Sequence, residues 1–111
     1  MSKTAVITGA SAGIGARFAK LLGREGYDVV LVARNENRLK ETAEELKNEF
    51  GVECEILVAD LSTDQGCKLV EVRVSDPQRP IDVLINNAGF GIRDSFPRRL
   101  AKAFAVPGTT P

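Results

Sequence analysis

The run Val29-Val30-Leu31-Val32-Ala33 carries no polar residue at any position. A strand with one face in water alternates apolar and polar side chains, whereas a strand covered by helices on both faces does not, and such strands belong to parallel sheets. The neighbours of this run are therefore expected to lie parallel to it, with helices in the connections. The chain supplies them in order. Lys3 to Thr8 reads as a short buried strand, and Gly13 to Gly23 places Ile14, Phe18, Leu21 and Leu22 at helical spacing before Gly26 stops the helix. After the second strand, Asn35 suits the N-cap of a helix with Leu39, Ala43, Leu46 and Phe50 on one face, Glu36 and Lys40 four apart, and Gly51 at its end. Val52 to Ala59 reads as a third strand. Ser62 with Gln65 forms a capping box for a third helix through Cys67, Val70 and Val74, which Pro77 and Pro80 close. Ile81 to Ile85 is the fourth strand. With right-handed crossovers, this alternation predicts an α/β fold: a doubly wound parallel sheet of four strands and three helices.

A chain of 111 residues provides one domain with one core. Basic and acidic residues number 15 each, which gives no reason to expect nucleic acid or a membrane as partner. No window approaches 18 consecutive apolar residues, and the N-terminus lacks a basic segment followed by an apolar stretch and a cleavage site, so a cytoplasmic protein is expected. Cys54 and Cys67 suit neither a zinc ribbon nor a C-x-x-C redox pair and are read as reduced and buried. Histidine is absent, which removes the commonest metal ligand and the commonest general base together. Charge is unevenly spread: residues 1–89 sum to −3 and residues 90–111 to +3. Residues 1–91 are accordingly read as the strand and helix domain and 92–111 as a basic tail. Within the tail, Pro97 to Val106 fits a short helix with Leu100 and Phe104 inward, and 107–111 reads as a disordered end.

Thr8-Gly9-Ala10-Ser11-Ala12-Gly13-Ile14-Gly15 joins the first strand to the first helix. The free N–H groups at a helix start point outward with about half a positive charge behind them, and glycine lets an anion reach the backbone without meeting a Cβ. The dipole contributes about 0.3–1 kcal/mol when exposed and up to about 2 kcal/mol when partly buried, so a bound phosphate needs further contacts. Arg34 stands just after the second strand, Asp60-Leu61 after the third, and Asn86-Asn87-Ala88-Gly89 after the fourth. All four groups fall at carboxyl ends of strands, where an open parallel sheet forms its ligand crevice.

In these motifs the chain resembles the short-chain dehydrogenase/reductase family, in which T-G-x-x-x-G-x-G, a D-hydrophobe pair and N-N-A-G appear in this order. The likeness spans residues 3 to about 91 and implies the N-terminal, cofactor-binding part of a Rossmann-type fold. It implies that Gly9 makes the tight turn, that Gly13 to Gly15 admit a pyrophosphate, and that Ser11 and Ile14 contact it. Asp60 would accept from the adenine amino group, and the Leu61 backbone would pair with the ring. Asn87, Ala88 and Gly89 would border the ribose and nicotinamide, with Asn86 structural. Arg34 bears on the choice of cofactor physically: NAD needs a carboxylate near the end of the second strand for the ribose 2′-hydroxyl, whereas NADP needs a cation for the 2′-phosphate. Positions 33 to 35 hold Arg34 and no acid, so NADP(H) is expected rather than NAD(H).

The family's hydride transfer between nicotinamide and a carbonyl or alcohol uses a tyrosine, a lysine in Y-x-x-x-K and an upstream serine. None of these has a counterpart here. Tyr27 is the single tyrosine, it belongs at the opposite end of the sheet from the crevice, and Leu31 follows it four residues later. No catalytic residue and no metal ligand is assigned, and the sequence reads as the cofactor-binding half of a reductase cut short. In such a chain the fourth strand would be a sheet edge, prone to self-association. Gly9-Ala10-Ser11-Ala12-Gly13 also fits the G-x-S-x-G elbow of a hydrolase, which fails here for want of a histidine base. A P-loop nucleoside triphosphatase is excluded by the absence of G-x-x-x-x-G-K-[ST]. A non-catalytic module that senses or buffers NADP(H) is the alternative reading.

Overall fold

The computed structural model describes residues 3–10 and 13–87. Strand and helix alternate along the chain as β1 (Thr4–Thr8), α1 (Gly13–Arg24), β2 (Asp28–Ala33), α2 (Glu36–Phe50), β3 (Cys54–Val58), α3 (Asp64–Val74) and β4 (Val83–Asn86). The sheet order is β3-β2-β1-β4 with every pairing parallel. The chain therefore winds outward from β1 to β3 and then crosses back to place β4 on the other side of β1. That reversal is the switch point of a doubly wound sheet, and it is a partial Rossmann-type fold that the sequence order predicted. Among the described residues β4 pairs with β1 alone and stands at the sheet edge.

The apolar run of β2 has to be continuous because both sheet faces are covered. Val30 and Val32 join Val6 and Leu84 beneath Val70 and Val74 of α3. Val29 and Leu31 join Ile7 and Ile85 on the opposite face, beneath Ala19 of α1 and Leu39 and Leu46 of α2. β3 ends the sheet on the far side, and its residues are half-buried or, at Val58, exposed. That edge position explains why β3 tolerates Glu55, whose carboxylate receives Nε of the buried Arg73 at 2.8 Å. The Arg73 guanidinium also donates to the Arg79 carbonyl at 2.9 Å, fixing the end of α3 to the loop that leads into β4.

Helix α1 bears out half of its sequence reading. Phe18 and Leu22 are half-buried against the core, but Ile14 and Leu21 are about half exposed, and the fully buried positions are Gly15, Ala19 and Gly23. Small side chains let the helix axis lie close to the sheet and to α2. A Cβ on Gly23 would stand 3.0 Å from Cδ2 of Phe50 and 3.2 Å from Cδ2 of Leu46. The helix then ends as expected near Gly26: the Gly26 N–H donates to the Gly23 carbonyl and the Tyr27 N–H to the Leu22 carbonyl, both at 3.0 Å. Tyr27 sits half-buried at the amino end of β2, beside Phe18, Leu22 and Val83 and far from the carboxyl ends of the strands.

Helix α2 is capped as read from sequence. Asn35 Oδ1 accepts the Arg38 N–H at 3.2 Å, Glu36 pairs with Lys40 at 3.3 Å, and the Gly51 N–H closes on Lys47. Helix α3 is not. Thr63 rather than Ser62 is its N-cap, accepting the Gly66 N–H at 3.0 Å, because Ser62 is turned back toward Asp60 and the third helical position is glycine, with no side chain to complete a capping box. Cys54 and Cys67 are free but only half-buried, not fully enclosed as expected; burial, reinforced by the charges of Asp28 and Glu53, pushes the Cys54 thiol up to about 11. It stays protonated and unreactive near neutrality.

Gly23→Leu forces a side chain into the α1–α2 contact and is expected to cost about 1–3 kcal/mol by overpacking. The check is urea unfolding: the midpoint falls with the slope unchanged. An unmoved midpoint would show that α1 and α2 are not closely packed at this point.

Candidate functional site

The carboxyl ends of β1, β2 and β4 are level, with Thr8 opposite both Val32 and Asn86. Directly after β1, Gly9 takes a positive φ of 66°, and the Ala10 N–H donates to the Val32 carbonyl at 3.1 Å, tying the turn to β2. Helix α1 starts at Gly13, where φ is 62° and nothing lies within 4 Å of the direction a Cβ would take. Gly15 is glycine for the opposite reason: a Cβ there would overlap the Gly9 carbonyl oxygen and stand 2.7 Å from Nδ2 of Asn87. The turn is thus open on its outer side and closed on its inner side.

Three residues lock it to β4. Thr8, fully buried, donates through Oγ1 to Asn86 Oδ1 at 3.0 Å, with the Ile85 carbonyl 3.4 Å away. The same Oγ1 accepts the Asn87 N–H at 2.9 Å, and Asn87 Nδ2 donates to the Gly9 carbonyl at 3.2 Å. Asn87 Oδ1 is buried without a hydrogen-bond partner among the described residues. A motif after the first strand and a motif after the fourth, more than 70 residues apart, are one hydrogen-bonded unit at the switch point.

The three helices differ in the charge at their first turns. Helices α2 and α3 each have a side-chain cap and an acid in the first turn, Asn35 with Glu36 and Thr63 with Asp64. Helix α1 has no acid in its first turn, and the preceding residue, Ala12, has no side-chain acceptor to offer. Open glycine backbone, a helix start and the absence of a competing carboxylate suit a phosphate or pyrophosphate.

Further along the rim, Arg34 follows β2, fully outside the core, and Asp60 follows β3. Asp60 Oδ1 accepts both the Ser62 N–H at 2.9 Å and the Ser62 hydroxyl at 2.6 Å. Those two bonds, followed by the positive charge of Arg34, hold its carboxyl below the usual carboxylate range. Arg34 and Asp60 are therefore neighbours in the electrostatic sense, and the Ala59 N–H bonded to the Ala33 carbonyl at 3.0 Å keeps the two strand ends together. Leu61 is half-buried against the α3 face, whereas Ile14 is about half exposed at the rim. Of the residues singled out from sequence, Gly9, Gly13, Ile14, Gly15, Arg34, Asp60, Leu61 and Asn87 all lie at this one end of the sheet. Ser11, Ala88, Gly89 and the basic segment 92–111 lie outside the described residues. Thr8, Ser62, Thr63 and Gly66 were not foreseen as site residues. For Thr8 a signal existed, since a hydroxyl at the end of an otherwise apolar buried strand requires a partner. Among the described residues no group of histidine, cysteine or carboxylate side chains is placed to hold a metal, and no helix is long and apolar enough to cross a membrane.

Residues 3–105 match the model of the short chain dehydrogenase family. The chain belongs to that family. The match runs beyond residue 91, where the motifs alone had ended the likeness. Over 85 residues the chain is 39% identical to the very-long-chain 3-oxoacyl-CoA reductase of Kluyveromyces lactis, covering 77% of this chain and 25% of that one. Among solved structures, a short-chain dehydrogenase from Sphingobium yanoikuyae in complex with NADPH superposes with a TM-score of 0.75 at 47% identity, covering 80% of this chain and 34% of that one. The L-sorbose reductase of Gluconobacter frateurii, complexed with NADPH and L-sorbose, gives 0.73 at 43% identity over 81% of this chain and 34% of that one. The chain thus spans only a quarter to a third of these relatives.

Thr8→Val keeps the shape of the buried side chain but removes the acceptor of the Asn87 N–H and the hydroxyl donor to Asn86 Oδ1. The expected loss is about 1–3 kcal/mol of unfolding free energy, read by thermal or urea denaturation. Stability equal to the parent would mean that the β1–β4 junction does not depend on this hydroxyl.

Proposed function

We propose that this chain binds NADP(H) along the carboxyl rim of its sheet and forms the cofactor-binding portion of a short-chain reductase. The observation that carries this reading is the hydrogen-bonded union of the glycine turn with Asn87 at the switch point, beside a helix start that no acid of its own neutralises. Gly9, Ser11, Gly13, Ile14 and Gly15 would receive the pyrophosphate. Asp60 would accept from the adenine amino group, with the Leu61 backbone on the ring, and Asn87, Ala88 and Gly89 would border the ribose and nicotinamide. Arg34 would hold the 2′-phosphate. Its nearest acid in sequence on α2, Glu36, is paired with Lys40, and among the described residues Arg34 itself has no ion pair. The NADPH bound by two of the structural relatives supports the phosphorylated cofactor.

When bound, the nicotinamide supplies hydride for a carbonyl or accepts it from an alcohol. These 111 residues contribute binding and orientation but hold no Y-x-x-x-K pair to move the accompanying proton. The proposal is therefore binding without turnover for the chain by itself, which is also what a module that senses or buffers NADP(H) would do. A serine hydrolase is disfavoured because no histidine is present to act as base.

Fluorescence titration tests the cofactor. NADPH is expected to bind more tightly than NADH, and Arg34→Ala to weaken NADPH by about tenfold, the worth of one charge-assisted contact, with little effect on NADH. Added salt should weaken NADPH more than NADH. A flat titration with both cofactors for folded protein rejects the reading, and an unchanged NADPH to NADH ratio in Arg34→Ala rejects the role of that residue. Turnover is tested separately with the same NADPH-loaded protein and a panel of aldehydes and ketones. No oxidation is expected, and steady NADPH consumption would overturn the assignment of a purely binding role.

A further inference from the structure

Asp60 occupies a position with two competing attractions. Its carboxylate feels the positive charge of Arg34 across the rim, and a free aspartate at the end of a strand has three staggered χ1 wells to choose from. The turn that follows removes this choice. Ser62 donates twice to Oδ1, from its backbone at 2.9 Å and its hydroxyl at 2.6 Å. Thr63 donates to the Asp60 carbonyl from its N–H at 3.0 Å and its hydroxyl at 2.7 Å, and that hydroxyl accepts the Gly66 N–H of α3. Gly66 is packed so closely against Asp60 that a Cβ there would overlap the Asp60 backbone. The rigid first turn of α3 therefore clamps the backbone of Asp60 while Ser62 clamps one oxygen of its side chain.

We infer that Ser62 is a positioning residue for adenine recognition: by holding Oδ1 it keeps Asp60 off Arg34 and leaves Oδ2 fixed as the acceptor for the 6-amino group. The inference rests on the reading of Asp60 as the adenine contact. Pre-ordering of the acceptor reduces what must be immobilised on binding, so it acts on selectivity for the base more than on the rest of the dinucleotide. Without the hydroxyl Oδ1 keeps only the backbone N–H of residue 62, so the carboxylate is held less firmly against the pull of Arg34, where it would compete with the 2′-phosphate.

The probes are NADPH and nicotinamide hypoxanthine dinucleotide phosphate, in which a carbonyl oxygen replaces the 6-amino donor. The full chain is expected to prefer NADPH by about tenfold, the worth of one good hydrogen bond to a charged acceptor. Ser62→Ala should cut that preference to about threefold or less, and Ser62→Thr, which keeps a hydroxyl, should restore it. In the same variants, carbon-detected NMR of the Asp60 carboxyl should show its titration moving up toward the ordinary carboxylate range in Ser62→Ala and back down in Ser62→Thr. Ser62→Cys, a weak donor of similar size, serves the same comparison should the alanine variant fold poorly. Retention of the full preference in Ser62→Ala while Asp60→Asn loses it overturns the role of Ser62 and leaves the adenine contact standing. Equal weakening of both probes also overturns it, since that is what a merely structural serine would give. No preference in the parent protein overturns the adenine contact and this inference together, without touching NADPH binding itself.

Discussion

The hydroxyl of Thr8 and the amide of Asn87 are the joint on which the rest of the rim depends. Parallel pairing of β1 with β4 brings the end of one strand beside the end of another encoded far downstream, but backbone pairing ends at Asn86. Beyond that point the chain is held by Thr8 Oγ1 on the Asn87 N–H and by Asn87 Nδ2 on the Gly9 carbonyl. Partly buried, these bonds are stronger than they would be in open water and costly when broken. The inner side of the glycine turn, at Gly9 and Gly15, is consequently fixed by protein before any ligand arrives.

The parallel, doubly covered sheet was legible because a continuous apolar run has one physical explanation, coverage on both faces, and Val29 to Ala33 does divide its side chains between the α3 face and the α1–α2 face. The rim was legible because a parallel sheet places the ends of its strands at one edge, so Arg34, Asp60 and Asn87 could be assembled from sequence position alone. The buried face of α1 was legible only in part. Hydrophobic spacing selected Phe18 and Leu22, which do pack against the core, together with Ile14 and Leu21, which do not, and it passed over Gly15, Ala19 and Gly23, whose contribution is the smallness of the side chain. A pattern search weighted by apolar bulk is blind to closeness of approach. The cap of α3 failed for a related reason. Ser62 and Thr63 are equally good caps by residue type, and what separates them is that Asp60 draws the first of them away.

Electrostatic neighbours, rather than ion pairs, organise the outer rim. Asp60 has its carboxyl lowered by two bonds from Ser62 and then by the charge of Arg34, yet the two side chains do not form a salt bridge among the described residues. An exposed pair of this kind contributes little to stability when it forms. Keeping it unformed costs the fold correspondingly little, and it leaves one cation and one acceptor separately available to a ligand that carries both a phosphate and an amino group.

The two ends of the sheet treat their polar groups in opposite ways. At the amino ends, the Asp82 carboxylate accepts the Thr4 N–H at 2.9 Å and the Asp28 carboxylate accepts the Glu53 N–H at 3.0 Å, while Arg73 is fully engaged by Glu55 and the Arg79 carbonyl. Protein groups answer protein groups there. At the carboxyl ends, α2 and α3 are closed by Asn35 and Thr63 and carry an acid in the first turn, whereas the first turn of α1 holds none. Free helix N–H groups donate to water at modest cost or to an anion with a gain. The asymmetry follows from residue choice rather than from the fold, since an aspartate in the first turn of α1 would preserve the sheet and its cores while placing a like charge where the proposed phosphate would enter.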